Sequence, residues 1–247
     1  MKYLKRLILM IGFLTRIPIP FEFDATEEDY GKGLVFAPLV GLVIGGIITV
    51  LFYILKRFFP SGVTSVLLIA AYIVLTGGIH LDGLGDTFDG IFSNKSREKM
   101  LEIMRDSRIG TNALLAVVCI IILDYALLSS IPLSYLPRVL LLFPAAGRIG
   151  SLIGAGVSVY AREEGLGKSF INCCGVKEIL QGSIIYFFVF LLVFSIKGLL
   201  FAALTWVTAF ITVKFFSKKV GGATGDILGA VCELNQAFFL ILAFLIK

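Results

Sequence analysis

Long apolar segments recur along this chain and limit what it can fold into. Seven of them stand out, at residues 34–55, 62–79, 112–131, 139–158, 183–197, 198–216 and 227–246. Most are close to the ~20 apolar residues that a helix needs to cross a bilayer. Charged residues make up only 16% of the chain, whereas about a quarter of the residues of a soluble domain are charged. A large soluble helical core is the alternative, and this composition argues against it.

The sequence therefore predicts an all-α, polytopic integral membrane helical bundle with six to seven transmembrane helices. The number depends on the short segment 183–197, whose boundary with the next segment near Lys197-Gly198 is weakly marked. No linker, internal repeat or low-complexity tract interrupts the pattern, so residues 1–247 are expected to form a single membrane domain.

The N-terminal stretch at residues 4–20 is of a different kind. Its positive start and apolar middle resemble a signal peptide, but Arg16, Pro18 and Pro20 follow in place of a small-residue cleavage site. We expect this segment to lie along the membrane interface and to turn at the two prolines. A cleaved signal peptide is the alternative.

Basic residues are distributed unequally between the two sides that seven spans create. Of the 22 Lys and Arg residues, 16 fall on the side of the N-terminal arm and of the loops near residues 80–111, 159–182 and 217–226, and 5 fall on the other side. The positive-inside rule places the richer side in the cytoplasm. Membrane topology thereby explains the net charge of +5, and no pattern of basic and aromatic residues indicates a nucleic-acid partner.

Three carboxylates lie close together in one of the polar loops. Drawn on a helix, Asp82, Asp86 and Asp89 fall within about 60° of one another. They repel one another unless a cation lies between them, and Mg²⁺ with a phosphate-bearing substrate is the commonest case. Three unpaired aspartates inside the membrane would cost roughly 8–10 kcal/mol. We therefore expect a metal site at the cytoplasmic end of a span. A solvated loop, whose glycines weaken any helix, is the alternative.

A second pair of acids lies at the start of the last apolar segment. Asp226 and Glu233 are seven residues apart and share one face of a helix. Glu233 lies about two turns into apolar surroundings, where it needs a partner. We expect both residues to contribute to the same metal site, and a pair of helix-end charges is the alternative.

Three arginines are candidates for binding a phosphate, because the guanidinium group makes bidentate contacts with it. Arg105 and Arg108 follow the acid motif, although anchoring on the positive side of the membrane would also explain them. Arg148 lies inside an apolar segment, where a guanidinium usually faces a cavity. Arg162 and Lys168 are weaker candidates, since cytoplasmic anchoring accounts for both.

Residue counts exclude several other kinds of site. His80 is the only histidine, so a His-rich metal site is impossible, and the four cysteines lack the Cys-x-x-Cys spacing of structural zinc. No phosphate-binding loop or dinucleotide fingerprint is present. A role in proton transfer and a helix-end hydrogen bond are both open for His80.

The motifs around the acids resemble those of the cobalamin synthases, also called adenosylcobinamide-GDP ribazoletransferases. The resemblance lies in Thr76-Gly-Gly-Ile-His80-Leu-Asp82-Gly-Leu-Gly-Asp86-Thr-Phe-Asp89-Gly90, Leu101-Glu-Ile-Met-Arg105-Asp-Ser-Arg108-Ile-Gly110-Thr111, Phe13-Leu-Thr-Arg16-Ile-Pro18-Ile-Pro20, Pro38-Leu-Val-Gly41, Tyr160-Ala-Arg162, Gly165-Leu-Gly167 and Gly222-Ala-Thr-Gly225-Asp226-Ile-Leu-Gly229-Ala230. It covers nearly the whole chain and departs at Asn112-Ala113, where an aromatic residue and a glycine are expected.

The resemblance implies a definite reaction. Members of the family join adenosylcobinamide-GDP to α-ribazole, or to its 5′-phosphate, as a ribose hydroxyl attacks the cobinamide-linked phosphorus and GMP leaves. The five acids would hold one or two Mg²⁺ ions on the diphosphate, and the arginines would steady the phosphates. The resemblance also implies a multi-pass protein of a bacterial or archaeal cytoplasmic membrane, in contact with lipid and with its active face toward the cytoplasm. A homo-oligomer, or a complex with other enzymes of the cobalamin pathway, is left open.

Two other functions use the same features. A phospholipid-type membrane phosphotransferase would share the Mg²⁺ carboxylates but take a lipid diphosphate donor. A transporter would use the intramembrane acids as an ion path, although the chain lacks the repeated halves that many transporters have.

Overall fold

The computed structural model describes residues 2–21 and 24–246, and these residues form a bundle of helices. They contain twelve α-helices and one short 3-10 helix, Leu34–Phe36. The α-helices are α1 Lys2–Leu14, α2 Glu27–Gly33, α3 Ala37–Leu55, α4 Ser61–Thr76, α5 Ile79–Ile91, α6 Arg97–Ile103, α7 Thr111–Ser130, α8 Leu136–Val157, α9 Gly167–Asn172, α10 Val176–Phe194, α11 Ile196–Val220 and α12 Gly225–Leu245. No β-strand occurs among the described residues, so the all-α prediction is confirmed.

Six helical segments within the described residues are long and apolar enough to cross a membrane. They are Glu27–Leu55, in which α2 runs through the 3-10 helix into α3, together with α7, α8, α10, α11 and α12. The pair α4 and α5 meets the same criterion only when joined, and the two helices are bent by 89° at their junction. The chain is therefore a multi-pass membrane protein, and the predicted number of six to seven spanning helices is confirmed.

Helices α8 and α12 form the centre of the bundle. Their most apolar segments are 89% and 78% buried inside the protein, against 28% for both α7 and α10. The outer helices expose large apolar side chains such as Val118, Ile184 and Ile211, which is the surface that lipid covers. The side chains of α8 and α12 therefore face protein, so polar residues on them meet other helices.

Close packing of α3 on α8 leads to a sharp stability prediction. A methyl group on Gly45 would overlap the backbone carbonyl of Leu141, whereas a methyl on the adjacent Gly46 would meet nothing within 4 Å. We expect Gly45→Ala to destabilise the protein by about 1–3 kcal/mol, since overpacking forces the helices apart. Gly46→Ala is the matched control and should be neutral or stabilising by up to about 1 kcal/mol. Thermal unfolding of both variants in detergent checks this, and equal melting temperatures would contradict it.

The junction between α4 and α5 is made by two glycines. Gly77 and Gly78 have φ values of 65° and 70°, in the left-handed region that other L-residues occupy only with strain. This geometry ends α4 and turns the chain through 89° before α5 begins. The acid-bearing α5 is therefore a separate helix set across the end of the bundle, which the apolar pattern alone did not predict.

The boundary between α10 and α11 differs slightly from the predicted one. The break falls at Ser195, whose φ is 54°, and not at Lys197-Gly198. Helix α10 also begins at Val176, seven residues before the predicted segment, so it has 19 residues and can span. The polar residues at its start hid this extra length from a hydropathy pattern.

The N-terminal segment forms α1 and packs against the bundle. Met10 and Leu14 are buried, and Arg6 Nε donates to Asp29 Oδ1 at 3.0 Å. After α1 the chain runs without helix through Pro18 and Pro20. The position of this segment at the membrane interface stays a prediction.

The loops gather at two ends of the bundle. At one end the N-terminal arm meets the end of α4, where Arg16 N donates to Leu75 O at 2.7 Å, and Arg105 Nη2 donates to Glu164 O at 3.2 Å. At the other end Ser61 Oγ donates to Ser129 O at 3.0 Å. The loops that carry most Lys and Arg residues thus lie together, as the charge pattern predicted.

Candidate functional site

Helices α5 and α12 cross at a glycine, and this crossing brings two acid motifs together. A methyl group on Gly83 would lie 2.8 Å from Asp226 O and 3.0 Å from Asp226 Cα. Only a glycine lets the two backbones approach so closely. As a result Asp82 and Asp226, which are far apart in sequence, line the same cavity.

Asp86 lies one helical turn beyond Asp82 on the same face of α5. It is half-buried and interacts electrostatically with Asp82, Asp89 and Asp226, and also with Arg162. The structure thus places Asp226 near the first acid motif, and metal binding by these acids stays a prediction. The carboxylates outnumber the cation that accompanies them, so the group carries excess negative charge.

Arg162 is the cation of this group, and a pair of loops positions it. Ala161 N donates to Ala223 O at 2.9 Å, and Ala223 N donates to Val159 O at 2.8 Å. These bonds tie the loop after α8 to the loop before α12. Arg162 Nη2 then lies 2.8 Å from Asp226 Oδ2, with its side chain only 11% exposed. The sequence did not reveal this ion pair, because a basic residue in a polar loop also fits membrane anchoring, and phosphate binding by Arg162 stays a prediction.

Asp89 has a different environment from the other acids of its motif. Its Oδ2 accepts from Gly110 N at 2.6 Å, and its Oδ1 accepts from Ala113 N at 2.9 Å. The carboxylate therefore caps the N-terminus of α7, whose first N–H groups have no partner within the helix. Asp89 fixes α7 to α5 in this way. Metal binding by Asp89 stays a prediction.

Arg105 and Arg108 lie on the exposed loop after α6. Arg105 bonds to the carbonyl of Glu164, in the loop that also carries Arg162. Arg108 makes a bidentate ion pair with Asp106, with Nε–Oδ1 at 3.0 Å and Nη2–Oδ2 at 2.6 Å, and this contact lowers the pKa of Asp106 to about 2. Arg105 is thus linked to the acid site, whereas Arg108 already has an anionic partner. Phosphate binding by either residue stays a prediction.

Glu233 takes part in a buried hydrogen-bond network. Its Oε1 accepts from the Tyr72 hydroxyl at 2.8 Å, and its Oε2 accepts from Gln236 Nε2 at 2.9 Å. Its side chain is 2% exposed, and its separation of seven positions from Asp226 amounts to about 10 Å of helix rise. Its hydrogen bonds thus join it to a side chain of α4 and to one of its own helix, α12. Metal binding by Glu233 stays a prediction.

Arg148 supplies the positive charge of that network. It is fully buried, and its Nη1 donates to the Tyr72 hydroxyl at 3.0 Å and to Gln236 Oε1. Its Nε and Nη2 have no hydrogen-bond partner in the part of the chain that the structure describes. Arg148 does not line the cavity beside Asp82. Its role in phosphate binding stays a prediction.

His80 lies between the acids and this network. Its Nδ1 is 3.6 Å from Cys232 Sγ and 3.9 Å from Glu233 Oε1, and the residue also lines the cavity beside Asp82. These contacts link α5 to α12, and Arg148 supplies positive charge near Glu233.

The described acids do not form a closed metal cage. Only one set of three His, Cys, Asp or Glu side chains within residues 2–21 and 24–246 has all its ligand atoms within 4.8 Å, and it consists of His80, Cys232 and Glu233. Mg²⁺ is usually held by one or two carboxylates together with substrate phosphates and water, so a closed cage is not needed for it. The carboxylate oxygens near Asp86, with their excess negative charge, fit a hard cation of this kind.

Sequence analysis missed three buried polar residues. Tyr72 and Gln236 join Arg148 to Glu233, and Asp124 lies on α7, 6% exposed and within electrostatic range of Glu233. The available signal was a polar side chain inside an apolar segment, where burial without a partner is costly. Which of these side chains meet depends on helix packing.

Comparison with known proteins identifies the family. A family model described as Cobalamin-5-phosphate synthase matches residues 6–244. The chain is 81% identical over 248 residues to a protein of Acetivibrio thermocellus named adenosylcobinamide-GDP ribazoletransferase, with 100% of both chains covered. A relative of the same name from Clostridium acetobutylicum is 55% identical, covering 98% of this chain and 96% of the relative. No solved structure matches the chain significantly. Full-length similarity at this level shows that the chain belongs to the cobalamin-5-phosphate synthase family.

Proposed function

We propose that this protein joins adenosylcobinamide-GDP to α-ribazole, or to α-ribazole 5′-phosphate, and releases GMP. The observation that carries the proposal is the convergence of Asp82, Asp86 and Asp226 with Arg162 at the crossing of α5 and α12. This site occurs in a chain that matches relatives named adenosylcobinamide-GDP ribazoletransferase over its whole length. A diphosphate donor suits a site in which carboxylates lie beside one arginine. The carboxylates can hold a metal ion on the phosphates, and the arginine can bind a phosphate directly.

In the proposed reaction, a ribose hydroxyl oxygen of the acceptor forms a bond to the cobinamide-linked phosphorus. The bond from this phosphorus to the bridging oxygen breaks, GMP leaves with that oxygen, and the hydroxyl proton passes to a carboxylate or to water. Positioning and charge neutralisation supply most of the rate in such transfers.

The residues of the site divide these tasks. Asp82, Asp86 and Asp226 would hold Mg²⁺, which neutralises the charge of the diphosphate when it is bound. Arg162 is placed beside Asp226, where its guanidinium would pair with the leaving phosphate. Arg105 is attached to the same loop and would bring a second cation.

We place the acid-bearing end of the bundle in the cytoplasm. The loops that meet there carry most of the Lys and Arg residues of the chain, and cytoplasmic loops are the ones enriched in these residues. The acid site would thus receive its donor and release GMP on the cytoplasmic face of the membrane.

Metal removal tests the proposed reaction. Purified protein in detergent, given adenosylcobinamide-GDP and α-ribazole, should release GMP with Mg²⁺ and lose about a hundredfold or more of this activity in EDTA. Added Mg²⁺ in excess of EDTA should restore it. The measurement is GMP and corrinoid product by chromatography.

Two outcomes of this assay would contradict the proposal. Undiminished activity in EDTA would remove the metal from the mechanism. A folded protein that releases no GMP, but consumes a lipid diphosphate donor, would instead show a phospholipid-type phosphotransferase.

A further inference from the structure

A cavity of about 210 Å³ opens beside the acids. Its walls come from both ends of the chain, with Phe13 and Leu14 of α1 on one side and Leu228 and Gly229 of α12 on the other. Asp82 and Asp226 lie on its lining. A molecule in this cavity would therefore touch the group of carboxylates directly.

Aromatic rings form one wall of the cavity. The rings of Phe13 and Phe170 both line it, and their centroids lie 4.6 Å apart. Tyr30 packs edge-on against Phe170 behind them, at 5.8 Å. Such a wall offers ring faces and edges, which prefer contact with another flat ring.

Few polar groups in the cavity are free to recognise a polar ligand. Ser151 Oγ already donates to Leu228 O at 3.2 Å, and His80 Nδ1 lies 3.6 Å from Cys232 Sγ. Apart from these, the polar side chains on the lining are Asp82 and Asp226. With Asp82 and Asp226 holding Mg²⁺ as proposed, a guanine base, with donors and acceptors around its edge, would find only His80 and Ser151 as side-chain partners here.

The volume of the cavity also limits which part of the donor or the acceptor can bind in it. A flat bicyclic base of about a dozen non-hydrogen atoms, at ~20 Å³ each when closely packed, is of the same order of size as this cavity. The dimethylbenzimidazole of ribazole is such a base. A corrin macrocycle has several times as many atoms and does not fit.

We propose that this cavity binds the aromatic base of the acceptor, with its ring beside Phe13 and Phe170 and its ribose directed at Asp82 and Asp226. The proposal rests on the proposed function and specifies the acceptor subsite of the same site. It makes Phe170 a residue that determines the affinity for the acceptor and the size of the acceptor base that the cavity accepts.

Truncation of the aromatic wall tests the subsite. Phe170→Ala should raise the KM for α-ribazole about tenfold or more and leave the KM for adenosylcobinamide-GDP unchanged. It should also use a naphthimidazole riboside, whose larger base the wild-type cavity rejects. Phe194→Ala is the matched control, because Phe194 is similarly buried but packs against Tyr135 and Phe201, outside the cavity. This control should leave both KM values unchanged.

A second variant on another helix separates loss of the subsite from misfolding of one variant, and a binding measurement tests the subsite without turnover. Phe13→Ala, on a different helix, should reproduce the change in acceptor KM. α-Ribazole alone should raise the melting temperature of the wild type more than that of either cavity variant, since a ligand stabilises the state that binds it.

The outcomes separate the subsite from the reaction. If wild-type protein releases no GMP, the proposed function fails. If GMP release is normal but both cavity variants keep the wild-type KM for α-ribazole, or change only the donor KM, the acceptor base binds elsewhere and the inference is overturned.

Discussion

Asp86→Asn is expected to lower GMP release by about a hundredfold to a thousandfold, the usual effect of removing one electrostatic group from a phosphate or oxyanion site. Asparagine keeps the shape of the side chain and removes its negative charge. Asp86 lies among Asp82, Asp89 and Asp226, so losing its charge relieves repulsion in the folded protein. The variant should therefore fold as well as the wild type while losing activity. GMP release and thermal unfolding, measured on the same preparation, check both statements.

Two further variants show whether the activity loss is specific. Glu102→Gln removes an exposed acid that pairs with Lys99, and such surface pairs contribute little, so activity and stability should stay unchanged. Asp89→Asn should differ from Asp86→Asn in stability, because it loses one of two backbone hydrogen bonds at the start of α7. A destabilisation of about 1 kcal/mol is expected for it. An Asp86→Asn protein with near wild-type turnover would exclude Asp86 from the site.

Glu233→Ala is expected to destabilise the protein by about 3–5 kcal/mol, because it leaves a buried charge without its counter-ion. Arg148 is fully buried and reaches Glu233 only through Tyr72 and Gln236. Once the carboxylate is removed, no acid among the described residues forms an ion pair with the guanidinium. Loss of folded protein in detergent, followed by size-exclusion chromatography and thermal unfolding, is the measurement.

A double variant distinguishes charge imbalance from lost packing. Arg148→Met alone should also be strongly destabilising, since it leaves Glu233 buried without a cation. Arg148→Met combined with Glu233→Leu removes both charges, and an apolar pair of similar volume often recovers much of the stability. The double variant should therefore be more stable than the sum of the single changes predicts. Additive effects would show that the two side chains act independently.

The helices were predictable because hydropathy and length determine spanning segments almost independently of tertiary structure. The sequence also suggested that Asp226 serves the same metal site as the first acid motif, and the structure brings the two close together. It did not predict the bend after Gly77 and Gly78, because glycine permits a left-handed turn without requiring one. The helix packing that decides which side of α12 faces Arg148 was equally invisible. For this reason the sequence did not show that Glu233 accepts hydrogen bonds from Tyr72 and Gln236, and its part in a metal site stays a prediction.

Arg162 illustrates a different limit. A basic residue in a polar loop satisfies the topology rule wherever it points, so its sequence position carries no information about its partner. Only the two backbone hydrogen bonds between its loop and the start of α12 bring it next to Asp226. The pairing is a property of two loops that are some sixty residues apart.

The order in which the ribosome makes the helices has a consequence for the cavity. Phe13 belongs to α1 and Leu228 belongs to α12, so the ribosome makes the first of these walls long before the second. Asp226 is likewise made long after Asp82. A nascent chain that has inserted the helices before α12 therefore still lacks one wall of the cavity and one of its carboxylates. Insertion of α12 completes both at once, so a chain that stops before α12 carries no assembled site.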